Sequence, residues 1–163
     1  MNMLAIESSS ASGSIALFID GRVVEERAWL PGRGRNEKAL EVIPEVMEAA
    51  SLSLAGLDLY AVGRGPGNYS GMRMALAIAQ ALALPDHTPV YAVSSGDALA
   101  SEVAHGYPAQ PIAVVGDARR QKLWYALFDP AEGAPVRRGD WALTPPEALP
   151  ELLSEQTVVV SPE

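Results

Sequence analysis

The stretch Gly63-Arg64-Gly65-Pro66-Gly67-Asn68-Tyr69-Ser70-Gly71 decides how this chain folds. An apolar, strand-like segment (57–62) precedes it, and a long apolar, helix-like segment (72–84) follows it. A loop of this kind presents backbone N–H groups at the start of a helix, where the helix dipole favours anions. Three roles are therefore open for the run: a phosphate cradle, a subunit contact, or a turn of the chain.

The spacing of the glycines does not match the known phosphate-binding motifs. The run lacks the Gly-Lys-Ser/Thr ending with which a P-loop places a lysine on a phosphate, and it lacks the spacing of a dinucleotide-binding fingerprint. Positive φ angles or a close approach between two backbone segments explain Gly65, Gly67 and Gly71 equally well. An anion contact at Gly65 and Gly67 stays open beside that interpretation.

The segment after the run is apolar on every side. Between Met72 and Leu84, only Arg73 and Gln80 are polar. A helix that is apolar all round must be buried on all sides, and little else in so short a chain is left to cover its second face. We therefore predict a subunit interface on this helix, against the alternative of a wholly intramolecular core helix. Its predicted interface residues are Met72, Ala75, Ile78, Ala79 and Leu82.

The patterns around the run predict a first lobe over residues 1–105. Asp20-Gly21 is a strong hairpin signal between two of its strands. Apolar residues at helical spacing predict a first helix with Asn36 as its N-cap, and Pro44 should kink this helix or delay its start. The predicted elements are strands at 4–6, 14–19, 22–30, 57–62 and 90–93, helices at 38–50, 72–84 and 96–104, and a loop at 31–35.

Residues 106–163 form a second predicted lobe, which begins to repeat the strand order of the first. Thr144-Pro145-Pro146-Glu147 has the composition of a helix N-terminus, with the threonine as cap. Strands are expected at 112–115, 122–128, 136–143 and 156–160. The whole pattern predicts an α/β chain with mixed β-sheets flanked by helices.

The composition excludes several classes of protein. A net charge of −8 is unfavourable for a chain that grips nucleic acid alone, because phosphate contacts need clustered Lys and Arg. Any role on RNA would act through a partner. The chain has no cysteine, and neither His87 nor His105 has a second histidine at metal-ligand spacing. We therefore expect no metal site and assign no catalytic residue.

Membrane attachment is also not expected. The first residues form a strand-like segment without the basic and apolar regions of a signal peptide. The longest apolar stretch (74–84) is too short to span a bilayer. These observations predict a soluble, cytoplasmic protein.

Two acidic residues are candidates for chemistry. Glu7 follows the first strand and could face a Mg²⁺-bound nucleotide, together with Ser8. The alternative is an exposed turn in which the serines bond the local backbone. Asp117 ends a strand and could be a second acidic ligand in a cleft between the lobes. An Asx turn explains it equally well.

Several segments, in order, resemble one family. Ile6-Glu7-Ser8-Ser9, followed by residues 13–17, resembles the opening ILAIDTS…SVAL of the TsaB (YeaZ) family. Residues 63–73 resemble its long and specific signature GRGPGSFTGVR. The further matches are residues 77–84 with IGIAQGLAL, residues 93–95 with VSTL, and residues 117–126 with DARMGEVYWA.

This resemblance implies an actin-like, RNase H-like (ASKHA) two-lobed fold. It also implies a non-catalytic scaffold subunit that pairs with the catalytic paralogue TsaD and the ATPase TsaE. Together they transfer a threonylcarbamoyl group to N6 of the adenosine beside the anticodon of ANN-decoding tRNAs. The family implies contact with TsaD or with a second copy through the first-lobe helices, which adds Leu40, Ile43 and Met47 of the first helix to the predicted interface. It implies contact with tRNA only through the complex. No tightly bound cofactor is implied, and ATP or ADP with Mg²⁺ is expected only in the complex.

The chain departs from the family pattern in two places. Asn36-Glu37 stands where the family often has a His-Ser/Thr pair, and Pro44 is slightly out of register. The sequence also stops at residues 158–163, where family members usually run on, so the second lobe is expected to be truncated. Two other functions remain alternatives. One is a nucleotide-dependent phosphotransferase with Glu7 and Asp117 as Mg²⁺ ligands, and the other is an M22-type glycoprotease.

Overall fold

A computed structural model describes residues 1–30 and 35–162, in two compact units, Met1–Val93 and Ser94–Glu163. The predicted loop at 31–35 lies largely outside the described residues, and so does the predicted capping by the Asn36 side chain. The two units are described separately below.

The first unit is built on a five-stranded mixed sheet with the strand order β3-β2-β1-β4-β5. β1 pairs antiparallel with β2 and parallel with β4, while β2 pairs antiparallel with β3 and β4 pairs parallel with β5. Burial alternates along β1 and β2, which is the pattern of strands with one face on a core. The strands are β1 (Asn2–Glu7), β2 (Gly13–Ile19), β3 (Arg22–Trp29), β4 (Leu59–Gly63) and β5 (Val90–Val93).

Two helices, α1 (Arg35–Ala49) and α2 (Tyr69–Ala83), pack with the sheet around one core. A 3₁₀ turn, Leu54–Gly56, leads into β4. α1 runs through Pro44, which is exposed, so the expectation that this proline delays the start of the helix is wrong. The core consists of Leu4, Ile6, Ile15, Leu17, Ala39, Val42, Ile43, Val46, Met47, Leu57, Tyr60, Val62, Ala75, Ile78, Ala79 and Ala83.

The second unit begins with α3 (Ser95–Gly106), whose N-terminus is capped by Ser94. A four-stranded sheet with the order β8-β7-β6-β9 follows. β6, β7 and β8 form an antiparallel meander, and β9 pairs parallel with β6, as β4 does with β1 in the first unit. The strands are β6 (Ile112–Arg119), β7 (Lys122–Asp129), β8 (Val136–Thr144) and β9 (Val158–Val160).

Two boundaries differ from the sequence prediction. The predicted division after residue 105 moves to the start of α3, because Ala100 of this helix packs with Ile112 and Phe128 in the second core. The predicted helix after β8 is a 3₁₀ segment, Pro146–Leu152. Pro145 occupies its N-cap position, and no side chain caps it.

Candidate functional site

The glycine run packs against the turn between β1 and β2. A Cβ atom on Gly71 would lie closer than 3.0 Å to the carbonyl oxygen of Ser8, and one on Gly67 would lie equally close to the carbonyl oxygen of Ser9. Side chains cannot occupy these positions unless the backbone moves, because the neighbouring atoms belong to the main chain. The expectation of a close backbone approach at Gly67 and Gly71 is therefore confirmed.

Glu7 is part of the same arrangement. Its carboxylate Oε1 accepts a hydrogen bond of 2.5 Å from the backbone N–H of Ser9. A Cβ on Gly63 would collide with this carboxylate, so the glycine leaves room for the side chain. Ser8 and Ser9 are buried below the turn. Glu7 thus makes a local contact within the turn, but the turn is not exposed as the sequence alternative expected, because Ser8 and Ser9 are buried.

The start of α2 is also engaged by protein atoms. The side chain of Asn68 accepts a hydrogen bond of 3.0 Å from the N–H of Gly71, and its carbonyl accepts one of 3.1 Å from the N–H of Met72. The N–H of Asn68 donates to the carbonyl of Ser9 at 2.5 Å. A phosphate at a helix N-terminus needs N–H groups and space. Here the cap uses the N–H of Gly71, Ser9 accepts from the N–H of Asn68, and serine carbonyls fill the space beside two glycines.

Gly65 has another role in the run. Its φ is +78°, and a Cβ there would lie within 3.0 Å of the Sδ atom of Met72. The predicted positive φ angle is therefore confirmed at this position, where a residue with a side chain would be strained and would push against the Met72 side chain. The neighbouring Arg64 is exposed, and its N–H donates to the carbonyl of Val93 at 2.8 Å.

α2 has one buried face and one exposed face. Ala75 and Ala79 are 0% exposed and Ile78 is 8% exposed, all within the first core. On the other face, Tyr69 is 68% exposed and Leu84, which follows the helix, is 71% exposed. The exposed face consists of Tyr69, Ser70, Arg73, Leu76, Ala77, Gln80, Ala81 and Leu84.

This division corrects the predicted interface. Ala75, Ile78 and Ala79 cannot contact a partner, because the sheet and α1 already bury them. Ile43 and Met47 of α1 are buried in the same core, while Met72 and Leu82 are partly buried. Of the predicted set only Leu40 is well exposed. The interface was assigned to the wrong residues because the apolar composition of a helix indicates that it is buried but does not indicate which face packs against the sheet.

The sequence did contain a signal for the exposed face. The two polar residues of the helix, Arg73 and Gln80, are seven positions apart and so lie on one side of it. The guanidinium of Arg73 lies over the ring of Tyr69, 5.4 Å from its centroid, which is within cation–π range. Counting from these two residues, rather than from the apolar ones, would have identified the exposed surface.

Asp117 belongs to the second unit, at the end of β6. Its Oδ1 accepts a hydrogen bond of 2.6 Å from the N–H of Arg119, and its Oδ2 lies 2.9 Å from the Nη1 of the same residue. This is the Asx-turn arrangement that was one of the two sequence interpretations. The residues 1–30 and 35–162 contain no group of three or more His, Asp or Glu side chains placed to hold a metal ion.

Side chains in each unit have shifted pKa values. Burial raises the pKa of the Tyr60 phenol, and the negative charge of Asp86 raises it further. Within the described part of the chain, the Tyr60 hydroxyl has no hydrogen-bond partner. In the second unit, a hydrogen bond from Arg138 lowers the pKa of Asp129. None of the helices described is long and apolar enough to cross a membrane.

A family model described as TsaD: tRNA N6-adenosine threonylcarbamoyltransferase matches residues 31–132, which is more than half of the chain. The chain belongs to this family. Several curated relatives carry the name tRNA threonylcarbamoyladenosine biosynthesis protein TsaB. The Escherichia coli K12 protein is 29% identical over all of this chain and 69% of its own length. The Haemophilus influenzae protein is 29% identical over 77% of this chain and 53% of its own length.

Solved structures agree on the fold. YeaZ from Pseudomonas aeruginosa superposes with a TM-score of 0.85 over 98% of this chain and 84% of its own, at 23% identity. The activator of 2-hydroxyisocaproyl-CoA dehydratase from Clostridium difficile gives 0.55 over 90% of this chain and 46% of its own, at 14% identity. The predicted likeness to TsaB (YeaZ) and the predicted actin-like α/β fold are both confirmed. The chain spans about half of the Haemophilus protein and 69% of the Escherichia protein.

Proposed function

We propose that this chain is a non-catalytic scaffold and activator subunit in tRNA threonylcarbamoyladenosine biosynthesis. It pairs with a TsaD protein and a TsaE-like ATPase for threonylcarbamoyl transfer to N6 of adenosine in ANN-decoding tRNAs. In isolation it pairs with a second copy of itself. One observation carries the proposal, namely the exposed apolar face of α2, whose large exposed side chains are Tyr69, Leu76 and Leu84.

The chemistry of this face favours a protein partner. Tyr and Arg are enriched at protein interfaces, and Arg73 already stacks on Tyr69. Ala77 and Ala81 have small side chains, which allow another helix to approach closely. The face has no acidic residue in an otherwise acidic chain. It is therefore suited to burial and unsuited to prolonged exposure to water.

Copurification with the TsaD protein of the same organism tests the proposal. We expect Ala77→Arg and Leu84→Asp to abolish the complex on size-exclusion chromatography and to leave the circular dichroism spectrum unchanged. The matched control is Val136→Asp, which places a charge on an equally exposed apolar site of β8. Retention of the complex by the two α2 variants would contradict the assignment of this face.

A second assay tests the role itself. tRNA modification is measured with TsaD and TsaE, with and without this chain. A scaffold subunit should raise the rate manyfold while showing no transfer activity alone. Transfer by the isolated chain would contradict the non-catalytic role. If the rate of tRNA modification is the same with and without the chain, the proposed role in this modification is contradicted.

Nucleotide binding is proposed only for the complex. The space beside Gly67 and Gly71 is taken by serine carbonyls, and Glu7 is engaged by Ser9. Calorimetry with millimolar ATP and Mg²⁺ should show no binding to the isolated chain. Binding that Glu7→Ala weakens would instead support a phosphotransferase of the same fold. The glycoprotease alternative has no supporting contact among the residues described. The proposed role places the chain in the cytoplasm.

A further inference from the structure

The turn between β6 and β7 holds long basic side chains on an unusual backbone. Arg119, Arg120 and Gln121 have φ angles of 67°, 53° and 60°, and all three are exposed. Left-handed backbone is rare for residues other than Gly, Asn and Asp, and three such residues in succession are rarer still. Because these side chains are exposed, packing does not compensate for the unfavourable backbone.

The chain itself contains a turn of the ordinary kind. Between β2 and β3 the positive φ angles, 50° and 79°, fall on Asp20 and Gly21, which tolerate them. Asp and Gly can therefore form a tight turn with positive φ angles in this protein, and Arg and Gln are not required for that backbone. The unusual choice at Arg119-Arg120-Gln121 indicates that the side chains themselves are needed.

The turn is held in place by Asp117. This carboxylate bonds both the N–H and the guanidinium of Arg119, so it fixes the backbone and one cation together. Arg120 and Lys122 are exposed beside it. A turn held by β6, β7 and Asp117 presents its charges with little loss of freedom on binding.

These cations also stand out in an acidic protein. The chain has 12 Lys and Arg against 20 Asp and Glu, yet Arg119, Arg120 and Lys122 lie within four positions. Arg119, Arg137 and Arg138 form ion pairs with Asp117, Asp97 and Asp129. The net positive charge of this turn therefore comes from Arg120 and Lys122. The β6–β7 turn is thus a local site of positive charge.

We infer that this turn contacts the phosphodiester backbone of the RNA substrate when the chain is in its complex, an inference that rests on the proposed function. Residues 119–122 offer only Arg, Arg, Gln and Lys, without an apolar side chain. A protein interface needs an apolar centre, whereas phosphate contacts need cations and amide donors. The contact positions the RNA and does not select its sequence.

The test uses the assembled complex with TsaD and TsaE and measures its affinity for tRNA by fluorescence anisotropy over a range of salt concentrations. The variant Arg120→Asn/Lys122→Gln removes two cations and places Asn, which tolerates the backbone, at position 120. We expect about a tenfold loss of affinity at moderate salt. The slope of log affinity against log salt should fall by about one to two, because two phosphate contacts are lost. The KM for tRNA should rise while kcat changes little.

Two control variants separate charge from turn structure. Gln121→Asn eases the same backbone and keeps every charge, so tRNA affinity should stay unchanged. Arg22→Gln/Arg27→Gln removes equal charge from β3 and should also leave affinity unchanged. A merely structural turn would instead give a double variant that melts earlier and binds tRNA as before.

The remaining outcomes separate failure of the RNA contact from failure of the scaffold role. If the double variant forms the complex and binds tRNA with wild-type affinity and salt slope, the turn does not contact RNA and the scaffold role stands. If the variant weakens ATP binding or assembly with TsaD instead, the partner of the turn is a nucleotide or a protein. If the wild-type chain forms no complex, the scaffold role fails and the RNA contact fails with it.

Discussion

The two units share a strand order and differ at the turn that follows their first strand. Glu7 is the last residue of β1, and Asp117 lies two residues before the end of β6. Each carboxylate accepts a hydrogen bond from the N–H two residues later, at 2.5 Å for Glu7 and 2.6 Å for Asp117. In the first unit the glycine run covers this turn, and Ser8 and Ser9 are buried. In the second unit the turn is exposed and basic. The same local bond thus supports two different turns. In the first unit the turn forms a packed joint, meaning the contact of Gly67 and Gly71 with the carbonyls of Ser9 and Ser8, and in the second unit it lies on the surface.

The largest effect is expected where the first unit is packed most closely. Gly71→Ala places a methyl group against the carbonyl of Ser8, which can move only with the β1–β2 turn. We expect a loss of about 3 kcal/mol in the free energy of unfolding, measured in urea. The control is Gly106→Ala in the second unit, where no atom lies within 4 Å of the new Cβ, and it should change stability little. Equal stability of the two variants would contradict the packed joint.

The next largest effect is a loss of stability of the first unit at alkaline pH, which depends on Tyr60. The pKa of Tyr60 is raised, so its neutral form stabilises the first unit below about pH 10, and this stability is lost as the pH rises through the folded-state pKa. Tyr60→Phe should remove this loss. Within the described part of the chain the hydroxyl has no hydrogen-bond partner. The free energy of unfolding of the variant should therefore stay unchanged at neutral pH or rise by about 1 kcal/mol. Urea unfolding at about pH 7 and about pH 10.5 checks both statements. The control is Tyr91→Phe, at an exposed site of β5.

A smaller effect is expected at the turn of the second unit. Gln121→Asn should raise the free energy of unfolding by about 0.5–1 kcal/mol, because Asn tolerates the left-handed backbone better than Gln. Asp20→Asn in the β2–β3 turn is the counterpart, and it should change stability little because its ion pair with the terminal amine is exposed. Thermal unfolding of both variants measures the difference. If Asp20→Asn raised the stability and Gln121→Asn did not, the expected difference between the two turns would be contradicted.

The smallest effect is expected in acid, in the second unit. Arg138 lowers the pKa of Asp129, so the ion pair stabilises the fold above the ordinary pKa of 3.8 and loses this contribution as the pH falls through the lowered value. Both side chains are largely exposed, so the effect is small. Asp129→Asn should lower the melting temperature slightly at about pH 7 and leave it unchanged at about pH 2. A difference that persists in acid would assign the effect to packing.

Much of the fold followed from local pattern. The order of strands and helices was predicted correctly, and β5 was placed at its observed bounds, because its flanking Pro and Ser residues mark both ends. The glycine run was correctly expected to need positive φ or close approach. The neighbour it approaches could not be predicted, because the β1–β2 turn is distant in sequence and only the parallel pairing of β1 with β4 brings them together.

The site was predicted less well than the fold. The interface residues on α2 were placed on the wrong face, because Leu76 and Leu84 are as apolar as the residues in the core. Which face is covered depends on the sheet and α1, and local composition does not contain that information. The boundary between the units was missed for a related reason, since α3 packs on the strand that follows it rather than on those before it.

The contacts of the glycine run also determine which substitutions the chain can accept. Gly67 and Gly71 adjoin main-chain carbonyls, so they must remain glycine whatever side chains stand at positions 8 and 9. Gly63 adjoins the carboxylate of Glu7, so the need for glycine at position 63 depends on the length of the side chain at position 7. A shorter acid at position 7 would relax the constraint at 63 and leave 67 and 71 unchanged. Positions 7 and 63 should therefore vary together, while 67 and 71 stay fixed independently of their neighbours.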